Sequence, residues 1–198
     1  MSARTLSLVD RLIGEIDKAI NVLCSHAHPA RAVPGPGGGE LVPDEADRRA
    51  SLRLMRVNHA GEVAAQALYR GQALTARHQA SADAMRQAAA EEMDHLAWCE
   101  IRIKELKGRT SVLNPLWYAG SFFIGAAAGL SGDSTSLGFI TETERQVESH
   151  LRGHLDRLPA ADRQSRAIVE QMTHDEMRHG AKAASLGGRG DCCRRPFD

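Results

Sequence analysis

One five-residue pattern occurs twice in this chain. Glu91-Glu92-Met93-Asp94-His95 recurs 84 positions later as Asp175-Glu176-Met177-Arg178-His179. Each copy holds a Glu-x-x-His, and on a helix positions i and i+3 sit side by side on one face. Each pentapeptide therefore turns a carboxylate and an imidazole the same way. A single glutamate precedes each copy at similar range: Glu62 lies 30 residues before Glu92, and Glu144 lies 32 before Glu176. About 15 residues of helix rise roughly 22 Å, so two antiparallel helices joined by a short turn bring residues about 30 apart level with each other. Glu62 then faces Glu92 and His95, while Glu144 faces Glu176 and His179. Two such hairpins packed together place six donors around one centre. Four helices supplying Glu, Glu-x-x-His, Glu, Glu-x-x-His carry the ligand set of a carboxylate-bridged two-metal bundle.

The residue types suit that task. Two iron or manganese ions held roughly 3.5–4 Å apart need bridging oxygens, which carboxylates supply. One imidazole per metal adds a nitrogen donor that suits iron. Four Glu and two His leave coordination positions open for dioxygen. Glu91 and Asp175 each stand one residue before a candidate Glu and four before a candidate His. They read as acceptors that orient imidazole N–H groups. A lone Glu-x-x-His on a Glu-rich helix is usually a solvated charged face; two copies inside matching pentapeptides are not. His59, His78, His150, His154 and His174 lack any partnered pattern and read as surface or core residues. Tyr69, two turns beyond Glu62, reads as packing, with a role beside the centre as the alternative.

The remaining sequence predicts an all-α protein. Residues 7–23 form an amphipathic pattern, with Leu8, Leu12, Ile16, Ile20 and Leu23 at helical spacing and Ser7 with Asp10 as a capping pair. His26 to Pro43 is rich in Pro and Gly and reads as a linker. Residues 46–107 read as two long Ala-rich helices divided near His78 to Ala82 and ended by Gly108. A second pair spans about 115–158 and 161–186, joined at Pro159. The organisation is thus an N-terminal helix (1–24), a linker (25–45), a bundle of two helical hairpins (46–186) and an irregular tail (187–198). Lys plus Arg and Asp plus Glu balance at 25 each, so no overall field favours nucleic acid. The four cysteines form no Cys-x-x-Cys pair, and no signal peptide is evident, so a reducing cytoplasm is expected.

No charged residue occurs between Arg109 and Asp133, and residues 116–130 are densely apolar. Asn114-Pro115 and Ser131-Gly132 trim the apolar part to about 15 residues, below the roughly 20 a membrane span needs. A crossing would also part the two halves of the metal site. Trp117 and Tyr118 suit a headgroup interface. The stretch therefore reads as a greasy surface or channel that admits a lipid-like substrate, or else as an ordinary buried helix with small residues for close packing.

Several motifs together resemble the demethoxyubiquinone hydroxylase family, the di-iron monooxygenases of ubiquinone biosynthesis. They are Arg56-Val-Asn-His-Ala-Gly-Glu62, Gln66-Ala-Leu-Tyr-Arg-Gly-Gln72, Glu91-Glu92-x-x-His95, Leu113-Asn-Pro-Leu-Trp117 and Asp175-Glu176-x-x-His179, within about residues 48–186. The resemblance implies a ferritin-like fold and two iron ions per chain. Its ligand positions fall on Glu62, Glu92, His95, Glu144, Glu176 and His179. Glu142 and Glu148 stand close to Glu144; the family's spacing selects Glu144. The implied reaction hydroxylates a polyprenyl benzoquinol ring with dioxygen, one atom entering the ring and the other leaving as water. The implied location is the cytoplasmic face of the cell membrane, held peripherally, with other ubiquinone-biosynthesis proteins as possible partners. No Gly-rich nucleotide fingerprint points to a bound flavin or nicotinamide. The last residues, Gly187 to Asp198, are polar and rich in Gly and Arg where the family continues into an apolar and basic helix, as a truncation or shifted reading frame would leave them. Rival uses of the same site are iron oxidation and storage, or peroxide reduction. A metal-free helical lipid-binding module explains the apolar stretch but not the paired pentapeptides.

Overall fold

The computed structural model describes residues 8–24, 28–37, 42 and 44–185, and all its regular elements are helices. They are α1 (Leu8–Cys24), α2 (Glu45–Thr75), α3 (Gln79–Glu105), α4 (Asn114–Leu130), α5 (Asp133–Arg157) and α6 (Arg163–Ser185). The proposed Ser7 cap and the tail beyond residue 185 lie outside the described residues.

Each helix boundary has a local cause. Asp44 caps α2 by accepting the Asp47 N–H at 2.9 Å. The turn between α2 and α3 falls at residues 76–78, slightly before the expected position. Asp133 clamps it by accepting the N–H groups of Arg77 and His78 at 2.9 and 3.0 Å. Burial opposes the Asp133 charge, but these bonds and the His78 ring hold its carboxyl down at about 2. At the end of α3 the left-handed position is filled by Lys107 (φ 57°), and the Gly108 N–H then reaches back to Ile103 O. Pro115 begins α4, where its missing N–H is harmless.

The single helix expected over about 115–158 is two helices. The chain breaks at Ser131-Gly132, where Gly132 has φ 109°, a conformation that suits glycine. The break gives α4 its own task. His59 lies near Asn114, Gly71 near Phe122 and Gln72 near Gly129, so α4 runs parallel to α2. A Cβ at Gly71 would lie 2.2 Å from Phe122 O, and one at Gly125 would lie 2.1 Å from Leu68 O. Only glycine permits this backbone approach. Because α4 carries the chain back along the bundle, α3 and α5 run in the same direction, each antiparallel to its hairpin partner α2 or α6. Two hairpins linked by a full-length crossover form the ferritin-like bundle.

Two apolar layers pack the bundle above and below its middle. One contains Met55, Trp98, Ile103, Leu151, Ile168 and Met172; the other contains Tyr69, Met85, Leu137, Ile140 and Ala183. Tyr69 is thus a core residue, as its packing reading expected. The far end of the first layer is closed by Arg102, fully buried, which donates to Asp162 at 2.8 Å and to Ser165 Oγ at 3.0 Å. Helix α1 docks through Ala19, Val22 and Leu23 onto Val63, Ala67, Tyr118 and Phe122. No described helix is long and apolar enough to cross a membrane.

Residues 28–37 are not a free spacer. The Ala30 N–H donates to Asp94 Oδ1 at 2.6 Å, and Gln164 donates to Pro34 O at 2.6 Å while accepting the Gly37 N–H at 3.0 Å. The segment is a strap laid across α3 and α6.

Candidate metal centre

Between the two apolar layers lies a polar one. Glu62 comes from α2, Glu92 and His95 from α3, Glu144 from α5, and Glu176 and His179 from α6. All six side chains are buried, from His95 at 0 % exposed to His179 at 8 %. The structure brings all six sequence-derived candidates together. It also separates Glu144 from its neighbours: Glu142 is paired with Arg145 and Glu148 with Arg152, while Glu144 is 2 % exposed and turned inward.

The six form two overlapping sets of four. One is Glu62, Glu92, His95 and Glu176; the other is Glu92, Glu144, Glu176 and His179. Within each set the donor atoms lie within 4.8 Å of one another. Glu92 and Glu176 belong to both. Glu92 approaches His95 Nδ1 at 2.7 Å and His179 Nδ1 at 2.8 Å; Glu176 approaches the same atoms at 3.3 and 3.5 Å. Glu62 lies 3.8 Å from His95 Nδ1. Two carboxylates shared between two nitrogen-bearing halves is the pattern of bridging ligands.

The donor set fits a pair of cations. Both Glu92 oxygens, Glu144 Oε1, His95 Nδ1 and His179 Nδ1 are buried and lack an aligned hydrogen-bond partner despite their short separations. Buried polar atoms are normally satisfied; these aim at common points instead of at each other. Four carboxylates also balance the charge of two divalent ions. The protein alone manages this charge poorly. Burial, with the charges of Glu92 and Glu176, drives the Glu62 carboxyl well above its usual range against the pull of His95. Burial and Glu176 do the same to Glu144. Burial resists protonation of His95, but Glu92 and Asp175 outweigh it and hold its pKa well above the ordinary imidazole value. His179, under the same opposition, is pushed up to about 10 by Glu176 and Glu92.

Each imidazole is steadied from behind. His95 Nε2 donates to Asp175 Oδ2 at 2.9 Å, which fixes Nδ1 as the atom facing the centre. His179 Nε2 lies 2.9 Å from Glu91 Oε2. The orienting carboxylates therefore serve crosswise, each supporting the His of the other pentapeptide. Their spacing of four suggests service to their own copy. The ring geometry forbids that, because Nδ1 of each His faces Glu92 and Nε2 points across to the facing helix. Burial works against the charge of Asp175, yet His95, Arg31 and Arg178 hold its carboxyl far below the usual carboxylate range. Sequence reasoning missed Arg31, which carries no motif, and gave no role to Asp94 inside the first pentapeptide.

The histidines without a partnered pattern stay outside. His78 is exposed beside Asp133 at 2.8 Å, and His154 Nδ1 lies 2.6 Å from Asn58 Oδ1. Burial lowers the His154 and His59 pKa values to about 4.

A cavity of about 690 Å³ reaches the centre, with Glu62, Glu144 and Glu176 on its wall. Val57, Ala64, Val147, Leu113 and Trp117 give it a largely apolar lining. It opens between α2 and α5, with Trp117 at the start of α4 on its wall; α4 is not an ordinary buried helix. Leu116, Trp117, Phe123 and Ile124 are 63, 46, 71 and 55 % exposed. Ile13, Ile16 and Ile20 of the neighbouring α1 are exposed as well.

Comparison with known proteins agrees with these features. A relative from Chromobacterium violaceum is 55 % identical over 180 residues, spanning 91 % of this chain and 87 % of its own. One from Burkholderia lata is 58 % identical over 183 residues, spanning 90 % and 86 %. One from Ralstonia pickettii is 54 % identical over 192 residues, spanning 91 % and 88 %. All three are named 3-demethoxyubiquinol 3-hydroxylase. Residues 49–196 match the family described as ubiquinone biosynthesis protein COQ7, and the chain belongs to that family.

Proposed function

We infer that this chain is a monooxygenase that hydroxylates 3-demethoxyubiquinol with dioxygen, and that Glu62, Glu92, His95, Glu144, Glu176 and His179 hold two iron ions for the reaction. The observation that carries this reading is the pair of overlapping four-donor sets opening onto an apolar cavity. Two irons at this centre supply the redox chemistry that activates dioxygen.

The chain's own residues supply the rest. Glu92 and Glu176 span the two halves; Glu62 and Glu144 complete one half each. Asp175 and Glu91 hold the imidazoles so that Nδ1 faces inward. The cavity volume falls within the range of small-molecule sites, and Glu62, Glu144 and Glu176 on its wall support seating the quinol ring there. Its apolar lining excludes water from the reacting carbon. One oxygen atom enters the ring and the other leaves as water, so each turnover takes up two electrons and two protons.

The exposed apolar faces of α1 and α4 support docking on the cytoplasmic surface of the membrane that holds the prenylated substrate. Cosedimentation with anionic lipid vesicles tests this part: F123S/I124S should lose binding while keeping its iron, and unchanged sedimentation would remove the docking face. The reaction is tested by loading the chain anaerobically with ferrous iron, adding a short-chain demethoxyquinol and admitting dioxygen. The expected product carries one additional oxygen. Iron-loaded protein that builds a ferric mineral and leaves the quinol unchanged would favour iron storage.

A further inference from the structure

The strap that precedes the bundle reaches the centre through one side chain. The Arg31 backbone N–H and guanidinium Nε both donate to Asp94, at 3.3 and 2.6 Å. Its guanidinium lies 4.6 Å from the Trp98 ring, and Trp98 Nε1 donates to Arg31 O at 3.4 Å. This seating on α3 leaves Nη1 directed at α6, where it donates to Asp175 Oδ2 at 2.8 Å. That oxygen is the one that accepts the His95 Nε2 proton. Arg31 thus holds two carboxylates from the two pentapeptides, Asp94 and Asp175, in one planar fork.

We propose that Arg31 is a positioning residue for the His95 half of the centre, acting on His95 through Asp175. The proposal rests on the two-metal reading above. An arginine suits the task because Nε and Nη1 diverge at a fixed angle, whereas a lysine ammonium is a single point. Asp175, 1 % exposed, has no room to choose another orientation while Arg31, Gln171 and Arg178 occupy it. The opposite half has no such device. Among the described residues, Glu91 meets Gln87 at 2.9 Å and Lys182 at 3.9 Å besides His179, and neither comes from the strap. The strap therefore makes the two halves unequal.

The test is an anaerobic ferrous titration of the full-length chain, read by competition with a metal-binding dye and by near-infrared magnetic circular dichroism. The wild-type chain should bind two ions. R31M should weaken one of them by about 10- to 100-fold, the range for losing a group that orients a ligand, and shift the dichroism of that ion alone. R31K, which keeps the charge without the fork, should fall between. Q164A cuts the strap's other anchor at Pro34 and Gly37 and should leave both affinities unchanged. Wild-type affinities and spectra in both R31M and R31K would overturn the proposal. So would an equal loss in Q164A, since packing of the strap would then be the cause. A wild-type chain that binds no ferrous iron would instead bring down the two-metal reading itself.

Discussion

The two halves of the centre descend from one repeated pattern, yet they are built differently around it. His95 is fully buried, and the carboxylate behind it, Asp175, is 1 % exposed with Arg31, Arg178 and Gln171 on it. His179 is 8 % exposed, and the carboxylate behind it, Glu91, is more than a third exposed. A hydrogen bond between ionised groups gains strength where water is excluded and loses it where water competes. The same donor set therefore gives one firmly held half and one more yielding half. The repeat determines which atoms converge; the surroundings, which the repeat does not encode, determine how firmly.

The comparison breaks first at the shared carboxylates. Glu92 and Glu176 serve both halves, so E92A or E176A should abolish quinol hydroxylation and disturb both ions. E62Q and E144Q should each disturb one half, E62Q the His95 side and E144Q the His179 side. Iron content and product formation measured on the four variants check this, and retained hydroxylation in either alanine variant would refute the shared role.

Next come the orienting carboxylates. D175N should weaken ferrous binding by about 10- to 100-fold, while E91Q, already solvated, should cost only a few-fold. Equal losses would erase the difference between the halves, and unchanged iron occupancy in both would remove their orienting role.

A smaller effect concerns pH. The His179 pKa is about 10 in the metal-free protein, against an ordinary value of 6.5, and His95 is raised in the same direction. A raised folded pKa contributes stability that is full below the unfolded value and is lost as pH rises through the folded one. The chelated protein should therefore lose thermal stability between pH 6.5 and about 10. Iron-loaded protein should lose less, because a coordinating imidazole carries no such proton. H179Q should flatten part of the chelated profile. Melting curves across this range decide the matter; parallel profiles with and without iron would contradict it.

The smallest effect is expected at Arg178, an exposed partner of Asp175 on the same helix. R178A should change ferrous affinity by less than about threefold, in keeping with the modest worth of exposed ion pairs. A loss matching that of R31M would place the support of Asp175 on its own helix and not on the strap.

Much of this is legible in the sequence itself. The Glu-x-x-His spacing fixes a shared helical face, and the near-equal intervals to Glu62 and Glu144 fix the hairpin register. The uncharged stretch from 110 to 132 was legible as apolar and too short to span a membrane, though not as a helix of its own. The glycines that seat α4 closely on α2, and the face it leaves exposed, are set by packing that no periodicity reveals. The helix break at Ser131-Gly132 was hidden because helical spacing resumes at once after it. The strap was hidden for a different reason. Proline and glycine in residues 34–39 exclude a helix but say nothing of packing, and Arg31 meets Asp175 across 144 positions of sequence. Local pattern carries no information about such a contact. The crosswise service of Glu91 and Asp175 likewise follows from ring orientation, which spacing leaves undetermined.

The central claim is that six side chains on four helices hold two irons through two shared carboxylates. Metal analysis of the anaerobically loaded chain, beside an E92A/E176A double variant, tests it most directly. Two irons per wild-type chain, with neither ion retained by the double variant, is the predicted result. No bound iron in the wild type, or two irons retained by the double variant, would contradict it.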